Sequence, residues 1–294
     1  MVFIISALFI FGAVFGSFAA AQVWRLRARQ LIDDKAHGEK VDTDEYKRLE
    51  PLVTTKVSND RSRCLNCGHA LAWYDLIPVV SWLSLGGKCR YCRKPIGYFE
   101  FVAELGLGLF FVISYLVWPF ALTSPLMVGS FVLWLIASVV LLILFAYDLK
   151  WSLLPDAMNW LLAAVGALYA LIFGYQQGFS LDWALGLIGA VAIMSGLYGA
   201  IYLLSRGSWV GFGDVKLGIG LGLLLGTWQN AFFALFLANL IGCIVIIPFM
   251  VARKLNRKSH IPFGPFLIAG SVISVFFGVQ AVAWYTTTFL MLPL

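Results

Sequence analysis

The stretch "GFGDVKLG", Gly211–Gly218, separates two apolar runs. The run before it, residues 181–204, carries one charged residue, Asp182. About 20 apolar residues suffice to cross a bilayer as helix. A carboxylate, Asp214, therefore stands between glycines and a lysine where one membrane-length helix ends and another begins. Charge beside the hydrocarbon region is costly and needs a reason.

Working outward, the same apolar pattern recurs along the whole chain. The protein has 294 residues, 61% hydrophobic and 12% charged, against about 25% charged in soluble domains. Mean hydropathy is +0.88. The runs are continuous and do not alternate, which excludes a β-barrel. They predict an all-α polytopic membrane protein with about eight transmembrane helices, at residues 2–24, 100–118, 126–147, 157–175, 183–204, 215–227, 230–251 and 263–285. The sixth is short and rich in glycine. The first lacks a basic segment before it, since Arg25 is the first cation, so a retained helix is expected and not a cleaved signal peptide.

The net charge of +6 reflects topology and not nucleic-acid binding. Fourteen of the 21 Lys and Arg residues lie in 25–99, and the others are Lys150, Arg206, Lys216, Arg253, Lys254, Arg257 and Lys258. With the N-terminus outside, every one falls in or within a turn of an inner segment. The outer connections "PFALTSP", "GYQQGFSLDW" and "GTWQN" have none. The positive-inside rule then puts both termini outside the inner (plasma) membrane and residues 25–99 in the cytoplasm. The expected organisation is a first transmembrane helix (1–26), a charged cytoplasmic insertion (27–60), a cytoplasmic tetracysteine module (61–99) and a seven-helix membrane domain (100–294). The insertion reads as a surface helix or a flexible segment.

Within the module, Cys64 and Cys67 form one C-x-x-C, and Cys89 and Cys92 a second, with 21 residues between the two. This spacing fits a tetrahedral Zn²⁺ site. Disulfides and a redox pair are the other readings, disfavoured in a reducing cytoplasm. Four thiolates leave no open position, so the metal would be structural. His69 reads as a loop residue and Cys243 as a small packing residue in its span.

Six acidic residues follow residue 94. Asp156 and Asp182 read as helix caps, and Glu100 suits a helix start. Glu104 lies one turn deeper. Asp148 ends the third span in "LILFAYDLK", at the negative end of the helix dipole. Asp214 could cap the sixth span, but Gly211 and Gly213 around Phe212 allow close approach of another backbone. Asp148 and Asp214 both fall at the inner membrane face. Two carboxylates brought together cannot both ionise cheaply; the pair can hold a water, one member taking its proton while the other polarises a carbonyl. That is peptide hydrolysis without a covalent intermediate. A transporter with an Asp proton relay and a non-enzymatic scaffold built on the zinc module are the alternatives. The first expects carboxylates deep within spans; the second leaves "GFGD" unexplained.

Taken together, "FGSFAAAQVWRLR", "CLNCGHALAWYDLIPVVSWLSLGGKCRYCRKPI", "DLKWSLLPD" and "GFGDVKLG" resemble the motifs of the type IV prepilin peptidases, membrane aspartyl proteases of the G-x-G-D kind. The resemblance covers nearly the whole chain outside 27–60. It implies cleavage of the leader of prepilins or pseudopilins at the cytoplasmic face, with Asp148 and Asp214 as the catalytic pair and Cys64, Cys67, Cys89 and Cys92 as zinc ligands. Many members also N-methylate the new N-terminus using S-adenosylmethionine, and Glu104 in "VAELG" matches the family's Glu in that half. The implied partners are prepilin or pseudopilin substrates and membrane lipid, with no nucleic acid. Ala20 stands where the family has Asn, and Phe99–Phe101 where it has Arg-Tyr-Pro. Both departures lie in the methyl-transfer half, so the resemblance carries peptidase activity further than methylation.

Overall fold

The computed structural model describes residues 1–53, 61–252 and 261–289. The inner-loop cations Arg253, Lys254, Arg257 and Lys258, and part of the insertion, lie outside the described residues. Those described are helical, with no strands beyond two isolated bridges. The chain divides into two compact units, Met1–Leu116 and Val117–Leu294.

The helices of the first unit are α1 (Val2–Ala36), α2 (Thr43–Leu49), α3 (Val80–Ser84) and α4 (Phe99–Leu116), and α1 packs along α4. Their backbones nearly touch. A Cβ on Gly12 would stand 2.6 Å from the Leu107 carbonyl oxygen, and one on Gly16 2.5 Å from that of Ala103. With no water to expel between helices in lipid, such small-residue seams supply the packing that joins them. Packing thus groups α4 with α1, whereas the domain organisation drawn from the sequence set it with the later helices.

α1 also runs on through Ala36, ten residues beyond the expected boundary at 26. Its extension is held by α2 (Thr43–Leu49), which Asp42 caps by accepting the Asp44 and Glu45 N–H groups. Ala28, Leu31 and Leu49 form a small core with Tyr46 and Leu52 against it. Arg27 pairs with Glu45 at 2.7 Å. Residues 27–53 are therefore a folded helical hairpin and not a flexible insertion; the high charge sits on its outer faces and hides the apolar stripe.

The second unit contains α5 (Pro125–Trp151), α6 (Asp156–Gln176), α7 (Leu181–Val191), α8 (Leu197–Ser205), α9 (Phe212–Leu225), α10 (Trp228–Val251) and α11 (Gly264–Phe289). α7 and α8 form one span interrupted by a π-turn, Ala192–Gly196. Seven helices in the described chain are long and apolar enough to cross a membrane. The expected sixth span, α9, is the exception. Its 14 residues reach about 21 Å, short of a hydrocarbon core of about 30 Å. Cys243, on α10, is exposed and does not pack in the interior.

α9 lies among its neighbours, touching α6, α7, the π-turn, α8, α10 and α11. Glycine makes this possible on two faces. Gly218 and Gly222 lie one turn apart. A Cβ at Gly218 would collide with the Met194 carbonyl of the π-turn, and one at Gly222 would stand 2.8 Å from the Val191 Cα. On another face, Gly213 meets Leu154 and Gly220 meets Leu162 and Ala163, so α9 and α6 run in parallel register.

Gly218→Ala is expected to destabilise the protein by about 1–3 kcal/mol, the cost of overpacking a tight contact. Gly129→Ala, whose nearest neighbour would be 3.8 Å away, should be close to neutral. Thermal denaturation in detergent compares the two.

Candidate active site

The second unit brings Asp148 and Asp214 together. Asp148 lies in the last turn of α5, which ends as Ser152 enters the left-handed region and returns its N–H to the Asp148 carbonyl at 2.7 Å. Asp214 lies in the first turn of α9. It does not cap that helix: Gly211 holds the cap position and accepts the Asp214 N–H at 3.2 Å. The charge of Asp214 acts on Asp148. The carboxylates occupy helix ends of opposite polarity, which gives them unlike environments. Asp148 is 5% exposed, and its Oδ2 has no hydrogen-bond partner among the described residues.

Three further residues complete the surroundings. Gly264, at the start of α11, turns its backbone N–H to the Asp148 carboxylate, and a Cβ there would lie 2.5 Å from Oδ2. Tyr198 of α8 senses the charge of Asp214 and packs its ring 5.5 Å from that of Phe263. Asn159 is 1% exposed, and both its amide atoms lack a partner among the described residues. It lies on α6 between Asp156, which pairs with Lys216 at 2.6 Å, and Leu162, which meets Gly220. Leu217 of α9 lines the Gly264 contact with Asp148. The Lys216 pairing also replaces the capping role expected for Asp156; Pro155 holds that cap position. None of the three was singled out from sequence. The Pro-flanked glycine in "IPFGPF" was the available signal for Gly264; a lone Asn in an apolar span was the signal for Asn159.

In the first unit, Cys64, Cys67, Cys89 and Cys92 place their sulfurs within 4.8 Å of one another, a group that could hold a metal ion. The module is a pseudo-repeat that cysteine spacing alone does not reveal. Cys64 N–H bonds to the His69 carbonyl and Cys89 N–H to the Lys94 carbonyl; Gly68 and Arg93 close the two turns with positive φ. Burial pushes the Cys64 thiol up to about 12, while the N–H groups of Cys92 and Tyr91 draw the buried Cys89 down to about 7. His69 is not in the group and lies against the Tyr91 ring at 3.7 Å. Asp75 ties the two halves by accepting from Arg90 at 2.7 Å, Tyr91 at 3.1 Å and the Ala72 N–H at 3.2 Å. Burial opposes its charge, but these donors prevail and hold it below the ordinary carboxylate range. Glu104, buried on α4, accepts the Val79 N–H at 2.7 Å and bonds Ser17 of α1. Val79 has φ 64, strained for a β-branched residue, and Glu104 is what fixes it.

Comparison with known proteins gives the family. Residues 135–247, which include both aspartates, match the type IV leader peptidase family, and residues 10–118 match the bacterial peptidase A24 N-terminal domain. The prepilin leader peptidase/N-methyltransferase of Aeromonas hydrophila is 30% identical over 295 residues, covering 97% of this chain and 94% of that one.

The chain belongs to the type IV leader peptidase family.

The similarly named protein of Vibrio cholerae is 33% identical over 76% of this chain and 83% of its own, and that of Pseudomonas aeruginosa 28% over 93% and 90%. No solved structure matches the chain. Like the family, this member is a multi-pass membrane protein, with seven candidate spans among its described residues.

Asp75→Ala should loosen the tetracysteine module. A carboxylate held below its ordinary range stabilises at every pH above that range, and the contribution is lost only as pH falls through the lowered value. At neutral pH the substitution is therefore expected to raise the alkylation rate of Cys67 and Cys92 by about tenfold, read by mass spectrometry.

Proposed function

We propose that this chain is an aspartyl endopeptidase that removes the leader of type IV prepilins or pseudopilins at the cytoplasmic face of the inner membrane, with Asp148 and Asp214 as its catalytic pair. What supports this reading is the convergence at Gly264 of Asp148, from the end of α5, and Leu217, one turn after Asp214 on α9, with the charge of Asp214 acting on Asp148. The orientation rests on the fourteen Lys and Arg residues of 25–99 and on the connections before α5 and after α6, "PFALTSP" and "GYQQGFSLDW", which have none.

A water held between the carboxylates attacks the scissile carbonyl carbon. The ionised member takes the water's proton, and the protonated member donates to the carbonyl oxygen. The tetrahedral intermediate collapses as its C–N bond breaks and the nitrogen receives a proton. A leader carboxylic acid and a new N-terminal amine result, with the pair restored to one shared proton. The Gly264 N–H holds Asp148 in place. Asn159, buried on α6 with an amide unpartnered among the described residues, could anchor a buried water between α6 and α9. A proton-relay transporter would instead carry its acids deep within spans, whereas Asp148 is in the final turn of α5.

For the module, Zn²⁺ is the metal that the donor set favours. At a Zn–S distance of about 2.3 Å the sulfur–sulfur edges are about 3.8 Å; Cys64 and Cys92 stand 4.0 Å apart. A closed tetrathiolate makes its role structural. The first unit is the proposed methyl-transfer half. Its cavity, lined by Trp24, Trp82, Glu100 and Glu104, contains buried charged atoms without partners among the described residues, Glu100 Oε2 and Arg63 Nε, a set that fits the amino-acid end of S-adenosylmethionine. Bound there, that cofactor supplies an electrophilic methyl group for the new amine.

Purified protein incubated with a synthetic prepilin, read by mass spectrometry, tests the reading. Asp148→Asn and Asp214→Asn should each lower the rate of leader removal by about 10²–10⁴-fold with the thermal transition kept. Cleavage at the wild-type rate by either variant overturns the assignment.

A further inference from the structure

Between the tetracysteine module and the α1–α4 pair, the first unit holds a cavity of about 170 Å³. Seven charged residues line it: Arg25, Arg61, Arg63, Asp75, Arg90, Glu100 and Glu104. Asp75 and Arg90 pair with each other, and Glu104 is taken by Val79 and Ser17. Arg63 and Glu100 each keep a buried atom that has no partner among the described residues. Glu100 spends Oε1 on the Trp24 indole N–H at 3.0 Å, leaving Oε2 buried without a partner. Arg63 reaches the Gly68 carbonyl through Nη1 at 3.4 Å, leaving Nε buried without one. They come from different elements, the module and α4, and do not pair with each other.

An unpaired buried charge costs far more than an unpaired neutral group. An anion alone would satisfy Arg63 and strand Glu100; a cation alone would do the reverse. A ligand bearing both charges on neighbouring atoms satisfies the two at once, and an α-amino acid group is the smallest such unit. Size narrows the choice further. Pockets that enclose a drug-sized ligand begin at about 300 Å³, so this cavity admits an amino-acid headgroup but not the nucleoside of the methyl donor as well.

We propose that Arg63 and Glu100 hold the α-carboxylate and α-ammonium of the donor's amino-acid end, leaving its adenosine at the cavity mouth. This rests on the reading of the first unit as the methyl-transfer half and names the residues that select the donor. Because the ligand would bridge the module and α4, its binding also couples the metal module to the membrane helices.

The test is calorimetric titration of the full-length protein with three probes: S-adenosylhomocysteine, 5′-methylthioadenosine, which keeps the nucleoside and sulfur without the amino-acid end, and methionine. Arg63→Met and Glu100→Gln should each weaken S-adenosylhomocysteine by about ten- to a hundredfold and leave methylthioadenosine unchanged; Glu100→Asp should recover part of the loss. Metal content and the thermal transition check that each variant is folded, and Glu100→Gln decides the matter if Arg63→Met is not. Equal loss for both nucleoside probes, or no loss for either, overturns the proposal while leaving the methyl-transfer reading intact. Methionine binding as tight as S-adenosylhomocysteine reassigns the cavity to a free amino acid and also overturns it. A wild-type protein that binds no probe removes the methyl-transfer reading and this inference with it.

Discussion

The second unit depends on the close approach of α9 to the helices around it. Without side chains at 213, 218, 220 and 222, its backbone lies directly against Leu154, the π-turn, Leu162 and Val191. In lipid this contact is not driven by expelling water; dispersion between closely matched surfaces does the work. A methyl group at any of these seams pushes a helix outward, and the first turn of α9 carries Asp214 with it. The π-turn belongs to the same fit. An extra residue in the α7–α8 span presents Met194 and Ser195 backbone to Gly218, and π-turns of this kind recur where function needs a local departure from α geometry.

A short α9 serves the chemistry as well. It begins at residue 212 and is capped by Gly211, and on the proposed orientation its first turn would lie at the membrane's edge, where a carboxylate can meet water. Asp148 reaches the same level from the end of α5, and Gly264 closes on it from the start of α11. Three helix termini thus converge on one small volume. The first unit uses the same device for another purpose. Gly12 and Gly16 on α1 press against α4, and the rigid pair then presents Glu100 and Glu104 to the folded module above.

Much of this was legible in the sequence because the bilayer imposes strong constraints. Span length, cation asymmetry, paired C-x-x-C motifs and two misplaced carboxylates each have few physical explanations, so they pointed to an all-helical membrane protein with a metal module and an acid pair. What stayed hidden depended on three-dimensional register. The apolar content of 215–227 is the same whether a helix spans or stops short, and only the Gly226 turn, left-handed at φ 71, ends it. For residues 27–53 a surface helix and a flexible segment both stayed open, because charge outnumbers Ala28, Leu31 and Leu49, which matter only once α2 folds back. Gly264 and Asn159 owe their interest to what lies opposite them, and no local pattern records that.

The central claim is that residues 148 and 214, far apart in sequence, face each other across one water. The most direct measurement uses Asp148→Cys and Asp214→Cys together in a chain with Cys243→Ser, treated with a short bifunctional thiol reagent and mapped by mass spectrometry. Rapid, near-complete joining of 148 to 214 is the predicted result, with no joining when the second cysteine replaces Asp156 instead. Absence of the 148–214 link under conditions that modify both thiols singly would contradict the account.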